Sequence, residues 1–265
     1  MVSEIAPAYD YCLVPEKFRL EDYRRIGANP IYCQEAANPN IYKPYSVPQE
    51  YDVTFVGQRY GDRLEYIYHL LNKGIDVRIW GLGWRPEPIG PSSRDSVSIW
   101  RKLAKLRTFY GWKMAAQEFK QFASRLLSRQ QDDFQIPLEI CGPPLSDEDL
   151  VKMYSRSRIS LGFSSCGDTH RSNKRILQVR LRDFEAPMSG AFYMVEYMKE
   201  LEEFFEVGKE VVCYQDKNDL ADKTRYYLKH SSEREKIRQA GYRRAMSEHT
   251  WQKRFRKIFK EIGLG

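Results

Sequence analysis

Short runs of β-branched and aromatic residues alternate with amphipathic patterns of helical period from residue 52 to the C-terminus. Alternation of this kind is typical of βαβ units, in which helices join parallel strands. The predicted strands are 53–56, 77–80, 138–141, 159–163, 191–195 and 211–214. The pattern therefore predicts an α/β fold built on a mostly parallel, six-stranded sheet.

The spacing of these strands is interrupted once. The second and third strands start 61 residues apart, whereas a strand–helix–strand unit needs about 30 residues. Residues 85–135 are therefore predicted to form a helical insertion. After the last strand, apolar residues at helical spacing predict helices over 220–230, 233–247 and 251–262, with Gly241 as an interruption.

The first 50 residues follow a different pattern. They predict, in order, a strand, a helix, a second strand and a Pro/Asn-rich connector, at 11–14, 20–26, 31–33 and 38–48. A connector of this composition marks a domain boundary, and the segment before it is too short to bury a core alone. Residues 1–48 are therefore expected to be the tail and linker of a truncated N-terminal domain, or an appendage packed on the main domain, and residues 49–265 the main domain.

Composition favours a folded, intracellular protein. The chain is 42% hydrophobic and 30% charged, which suits a globular core. No apolar run approaches the roughly 20 residues of a membrane-spanning helix, and residues 1–10 lack a signal-peptide pattern. The five cysteines are widely spaced and odd in number, which favours reduced thiols over a disulfide framework or a zinc ribbon. We expect a soluble, cytoplasmic protein.

The net charge of +7 is concentrated in the predicted insertion. Residues 98–130 contain eight lysines and arginines and one acid, Glu118, an excess equal to the charge of the whole chain. The simplest interpretation is an amphipathic helix with its apolar face on the core. The alternatives are contact with a partner domain or with an anionic membrane surface, which would make the protein membrane-peripheral. Nucleic acid is not an expected partner, because aromatic residues dominate the apolar side.

The first strand of the main domain ends in a turn that suits an anionic ligand. Gly57 and Gly61 permit close approach of the backbone, and Arg59 and Arg63 add cationic donors at the start of a helix. Ligands of open α/β sheets bind at this edge. The alternative is an ordinary turn with surface arginines. The later sequence GLGW at 81–84 lacks the third glycine of a dinucleotide fingerprint and predicts a tight turn.

The segment 178–190 carries a second candidate binding site. A carboxylate such as Glu185 can accept two hydrogen bonds from vicinal hydroxyls, as in ribose recognition. Arg180 and Arg182 can neutralise a diphosphate. Together these residues suit a nucleotide, whereas the alternative is a set of Arg–Glu salt bridges on a solvated helix face.

Two further polar stretches have simpler interpretations. The loop 164–174 follows a strand, and in it Asp168 and His170 are candidate catalytic residues, although a histidine in a polar loop is more often merely exposed. The acidic D-x-D at 147–149 resembles a metal-binding motif. Ser146 before it is a good N-cap, however, and acids are favoured in the first turn of a helix, so we expect a capped helix and no metal site.

Several motifs in the second half of the chain occur in a familiar order. The segment DFEAPMSGAF at 183–192 is followed by Leu201, FF at 204–205, GKE at 208–210, Tyr214, Leu220 and HTW at 249–251. This order resembles the C-terminal, donor-binding half of two-domain glycosyltransferases, and among them the CgeB/YkvP-like spore-protein group. The resemblance covers about residues 52–262. It implies a GT-B C-terminal domain, a Rossmann-like doubly wound parallel sheet, that binds a nucleotide-sugar donor without a metal or another cofactor.

The resemblance also implies roles for individual residues. Glu185 resembles the family glutamate that binds the donor ribose. Gly57 and Arg59 lie near the diphosphate turn of the family, and Arg180 and Arg182 flank the same site.

The chain departs from the family at two points. Many relatives have a second glutamate eight residues before the first, where this chain has Leu177. The segment before the connector is also much shorter than a whole N-terminal domain. We therefore expect a glycosyltransferase, or its donor-binding half, with an acceptor that is unknown. The alternative is a nucleotide-binding module without transferase activity; a dinucleotide-dependent oxidoreductase is disfavoured because no complete G-x-G-x-x-G is present.

Overall fold

The computed structural model describes residues 2–85, 136–166 and 175–264. The chain divides into two compact units, one formed by Met1–Trp84 with Leu138–Gly265 and the other by Arg85–Pro137. The second unit lies almost wholly outside the described residues. The predictions of a helical insertion at 85–135 and of a basic amphipathic helix at 98–130 therefore remain predictions.

The first unit is built on a six-stranded parallel sheet. Its strands are β3 Tyr51–Val56, β4 Val77–Trp80, β5 Cys141–Gly142, β6 Ser157–Gly162, β7 Tyr193–Glu196 and β8 Val212–Tyr214. They lie in the order β5-β4-β3-β6-β7-β8, so the chain proceeds outward from β3 in one direction and from β6 in the other. Two crossovers in opposite directions leave a crevice beyond the carboxyl ends of β3 and β6, where open α/β sheets bind ligands.

A separate pair of parallel strands precedes this sheet. These are β1 Cys12–Val14 and β2 Pro30–Tyr32. The helices are α1 Val2–Ile5, α2 Leu20–Arg25, α3 Arg63–Asn72, α4 Asp147–Arg156, α5 Arg182–Met188, α6 Lys217–Lys229, α7 Ser231–Glu248 and α8 Trp251–Glu261. None of the helices in the part of the chain that the structure describes is long and apolar enough to cross a membrane.

Strands β7 and β8 are buried along their whole length, because helices cover both sides of a parallel sheet. The other strands place apolar residues in the core. Val53, Ile79, Ile159 and Val195 are fully buried within the sheet. A cluster of buried residues between the sheet and α5 includes Phe184 and continues to the end of α7. The sheet therefore forms a rigid base beneath the crevice.

Two predictions about local structure are wrong. Leu138–Ile140 forms a 3-10 turn, and the strand there is only Cys141–Gly142; the following Pro143 and Pro144 end it because proline has no N–H for the ladder. Gly241 does not interrupt its helix, since α7 is continuous. A Cβ at Gly241 would lie 2.2 Å from the Glu210 carbonyl oxygen, so close packing explains this glycine.

The N-terminal segment is anchored to the last part of the chain. The Ala37 N–H donates to the His249 carbonyl at 3.0 Å. The Arg254 Nε donates to the Glu35 carbonyl at 3.3 Å, across 219 residues of sequence. These bonds fix residues 35–42 beside the crevice.

Candidate functional site

A cavity of about 620 Å³ opens at the crevice beyond β3 and β6. Its size is within the usual range of small-molecule sites. Of the residues that the sequence predicts to bind a ligand, Gly57, Arg63, Arg180, Arg182 and Glu185 all line it. The structure therefore brings the two predicted binding segments together at one site.

Gly57 lies at the base of the cavity, where β3 ends. A Cβ at this position would lie 2.6 Å from the Phe55 ring, so the turn requires glycine. The Trp84 indole N–H donates to the Gly57 carbonyl at 2.7 Å. Gly81 has a φ of 145°, and a Cβ there would lie 2.1 Å from the same oxygen. The GLGW sequence thus forms a turn that supports the end of β3.

The side chain of Arg59 is exposed and is not among the residues that line the cavity. Its backbone N–H donates to the Leu82 carbonyl at 2.9 Å. The structure therefore brings Arg63, but not Arg59, to the cavity, because the turn directs the two side chains differently.

Arg63 is the first residue of α3 and is only 6% exposed. Its Nη1 donates to the Gln58 carbonyl at 2.8 Å and its Nη2 to the Tyr60 hydroxyl at 2.5 Å. Its Nε has no hydrogen-bond partner among the described residues. Burial, with the nearby positive charges of Arg180 and Arg182, lowers the pKa of Arg63 to about 10. The guanidinium therefore remains a cation at neutral pH and has donors to spare.

Arg180 and Arg182 flank the start of α5. The Arg180 guanidinium donates to the Ser165 carbonyl, and its Nε has no partner among the described residues. Arg182 donates to the Tyr154 hydroxyl at 3.1 Å. Residues 183–188 of α5 are all buried. The interpretation of this segment as a solvated, salt-bridged helix face is therefore wrong.

Asp183 fixes the backbone before α5. Its carboxylate accepts the Arg180 N–H at 2.8 Å and the Tyr193 hydroxyl at 2.8 Å. Gly162 makes room for this contact, since a Cβ there would lie 2.0 Å from the Tyr193 hydroxyl. Burial raises the pKa of Asp183 to about 6. Asp183 thus sets the position from which Arg180 reaches the cavity.

Glu185 faces the cavity from α5 and is only 4% exposed. Burial raises its pKa, and the Tyr42 hydroxyl and the Arg182 guanidinium partly offset that rise. Its ionised carboxylate has the oxygen acceptors that hydroxyl groups require.

Four further residues line the cavity that the sequence did not single out. Tyr60 and Gln178 lie within the two predicted binding segments, whereas Glu35 and Tyr42 come from the N-terminal segment. Burial raises the pKa of the Glu35 carboxyl. Glu35 and Tyr42 are brought to the cavity by tertiary contacts that no local pattern encodes.

Ser146 caps α4 as the sequence predicts, since its Oγ accepts the Asp149 N–H at 3.1 Å. Asp147, in the first turn of α4, also lines the cavity, although the sequence predicted no binding role for it. Among the residues that the structure describes, no group of three or more His, Cys, Asp or Glu is placed to bind a metal ion.

The candidate catalytic residues Asp168 and His170 lie outside the described residues and remain predictions. Beyond that loop, Arg175 forms ion pairs with Asp62, at 2.6 Å, and with the buried Glu196. Within the described ranges, Arg63, Arg180 and Arg182 form no such ion pair.

Three solved structures illustrate what the fold is similar to. Sucrose-phosphate synthase from Thermosynechococcus elongatus is 13% identical, with a TM-score of 0.58, and the match covers 98% of this chain and 60% of the synthase chain. Anabaena HepE in complex with UDP-glucose is 11% identical, with a TM-score of 0.58, and the match covers 99% of this chain and 66% of the HepE chain. A glycosyltransferase from Rickettsia africae is 13% identical, with a TM-score of 0.55, and the match covers 98% of this chain and 66% of the Rickettsia chain.

At these identities the likeness establishes the fold, which is the predicted Rossmann-like α/β fold of GT-B glycosyltransferases. The chain spans 60% to 66% of the length of these three structures. Comparison of the sequence with curated proteins gives no significant match. The family model described as glycosyl transferase-like matches residues 63–260, more than half of the chain, and the chain therefore belongs to that family.

Proposed function

We propose that the protein is a glycosyltransferase of the CgeB/YkvP-like group that transfers a sugar from a nucleotide-sugar donor to an acceptor. The donor's nucleoside diphosphate occupies the cavity beyond β3 and β6. HepE, which shares the fold, was crystallised with UDP-glucose, and this supports UDP as the first nucleotide to test.

One observation carries the proposal. Arg63, Arg180 and Arg182 line a single cavity, and none has a carboxylate ion-pair partner among the described residues. Burial lowers the pKa of Arg63, and repulsion from the nearby guanidiniums of Arg180 and Arg182 lowers it further. Cations held together in this way favour an anionic ligand, and guanidinium groups bind phosphate oxygens bidentately.

The carboxylates of the cavity suit the other end of a nucleotide. Glu185 is adjacent to the arginines and can accept hydrogen bonds from both ribose hydroxyls. The proposed arrangement places the ribose at Glu185 and the diphosphate at the turn of Gly57 and Arg63. A helix N-terminus also favours phosphate, and α3 begins at this turn.

The arginines of the cavity supply the positive charge that a divalent cation provides in other transferases. We therefore include in the proposal that donor binding requires no metal ion. Ser146 and Asp149 form the cap of α4, whereas Asp147 lines the cavity.

Calorimetric titration with UDP tests the proposal. The wild type is expected to bind UDP, and Glu185→Ala to weaken that binding by about 1 to 3 kcal/mol, the usual effect of losing hydrogen bonds to a charged group. The matched control is Glu206→Ala, whose carboxylate is on the surface, 59% exposed. It should bind UDP as the wild type does. Unchanged affinity in a folded Glu185→Ala protein would contradict the ribose assignment.

A second candidate function is nucleotide binding without sugar transfer. Leu177 occupies the position of the second family glutamate and packs against the hydrophobic cluster instead of offering a carboxylate to a sugar ring. Incubation with a UDP-sugar and release of UDP distinguish the two functions. A protein that binds UDP tightly but releases none over a range of acceptors favours the second.

A further inference from the structure

Tyr60 is the side chain that most directly contacts the buried cation of the cavity. The Arg63 Cζ lies 3.7 Å from the centroid of the Tyr60 ring. The Tyr60 hydroxyl also accepts from Arg63 Nη2 at 2.5 Å. The same ring lies 5.9 Å from the Arg180 Cζ. One aromatic side chain thus contacts two of the three cavity guanidiniums, within the range of cation–π attraction.

Arg175 shows the more common way to stabilise a guanidinium at this edge of the sheet. It pairs with the carboxylates of Asp62 and Glu196, and these two negative charges offset its own. A carboxylate fixes an arginine but cancels its field and repels a phosphate. An aromatic ring fixes the arginine and leaves its full charge for a ligand. Carboxylates stabilise Arg175, whereas an aromatic ring stabilises Arg63.

The aromatic surroundings of Arg63 extend beyond Tyr60. The rings of Phe55 and Phe163 lie 5.3 Å and 5.9 Å from its Cζ. All three rings line the cavity, but those of Phe55 and Phe163 are buried core side chains, whereas Tyr60 is half-buried. Loss of the Tyr60 ring would therefore expose one face of the guanidinium to solvent without removing a core residue.

We propose that Tyr60 is a positioning residue for the donor diphosphate, which holds the Arg63 guanidinium in its binding orientation without neutralising it. The inference rests on the proposed function, because it names how the phosphate end of that site is built. The Tyr60 hydroxyl accepts from an Arg63 donor that a phosphate oxygen can bind in its place. The Tyr60 ring, not the hydroxyl, is therefore the group that supports phosphate binding.

Two substitutions separate the ring from the hydroxyl. Tyr60→Leu removes the aromatic face and is expected to weaken UDP binding roughly 30-fold, the fold-change that corresponds to a desolvated cation–π contact of about 2 kcal/mol. Tyr60→Phe keeps the ring and is expected to bind UDP within about threefold of the wild type, since a phosphate oxygen can accept from the Arg63 donor that the hydroxyl leaves. Uridine, which has no phosphate, should bind all three proteins alike.

Titration calorimetry with UDP, uridine and inorganic pyrophosphate provides the measurement. Tyr226→Leu, which removes an exposed tyrosine from α6, is the control for loss of an aromatic side chain. Equal UDP affinity of Tyr60→Leu and the wild type would overturn the inference, and so would an equal loss of uridine and UDP binding. A wild type that binds pyrophosphate but no nucleotide contradicts the proposed function alone, and the pyrophosphate affinities of the variants then decide the role of Tyr60. A wild type that binds none of the three overturns both.

Discussion

The buried carboxyl of Asp183 should make the stability of the fold depend on pH in a predictable way. Asp183 is 1% exposed and accepts hydrogen bonds from the Arg180 N–H and the Tyr193 hydroxyl. These bonds favour the ionised form, but burial outweighs them and raises its pKa from 3.8 to about 6. Asp183→Asn removes the titration and leaves an amide oxygen that still accepts one hydrogen bond.

The magnitude follows from the two pKa values. A tenfold change in proton affinity corresponds to about 1.4 kcal/mol, so the rise from 3.8 to about 6 is worth roughly 3 kcal/mol. Between these values the folded protein binds more protons than the unfolded chain, and the free energy of unfolding therefore falls as pH rises. Well below pH 4 the Asp183 carboxyl is protonated in both the folded and the unfolded state. Above about pH 7 it is ionised in both states, and the free energy of unfolding has fallen by the full amount.

Urea denaturation of the wild type and Asp183→Asn at pH values from 4 to 8 measures the effect. The free energy of unfolding of the variant, relative to the wild type, should increase by roughly 2.5 kcal/mol between pH 4 and pH 7, because the rest of the effect lies below pH 4. Asp222→Asn on α6, where the aspartate side chain is 78% exposed, controls for the loss of an aspartate charge. Parallel profiles for Asp183→Asn and the wild type would refute the argument that burial dominates the titration of this group.

Two further predictions concern packing and the donor site. Gly241→Ala should destabilise the protein in urea denaturation, although alanine usually stabilises a helix interior by about 1 kcal/mol, because its Cβ would lie 2.2 Å from the Glu210 carbonyl oxygen; a gain in stability would contradict this. UDP-sugar binding should persist in EDTA. Loss of binding on chelation, restored by manganese, would contradict the proposed metal-independent site.

The strands of the sheet could be predicted because their signals are local, whereas their order in the sheet depends on pairing between distant segments and was not predicted. Strand β4 matches the predicted strand 77–80 residue for residue, and β3 begins two residues earlier than predicted. Runs of β-branched residues identify strands, and parallel strands place their carboxyl ends at one edge. For this reason Gly57 and Glu185, more than a hundred residues apart, could be assigned to one site.

The remaining cavity residues could not be predicted for a related reason. Glu35 and Tyr42 belong to an N-terminal segment for which the sequence predicts no binding role, and hydrogen bonds to the last part of the chain place this segment beside the cavity. The sequence of the turn at Gly57 contains two arginines, Arg59 and Arg63, and both have the charge and the donors to bind an anion. Only the course of the backbone shows that Arg63 is buried at the cavity and Arg59 is exposed.

The hydrogen bond between Arg254 and the Glu35 carbonyl has a consequence for the order of folding. It closes a loop of 219 residues, and contacts so distant in sequence form slowly because the entropy of loop closure must be lost first. During synthesis the sheet can assemble before α8 has emerged from the ribosome, but the Glu35 carbonyl lacks its bond to Arg254 until then. The cavity wall that contains Glu35 therefore gains this anchor only after all six strands of the sheet have been made.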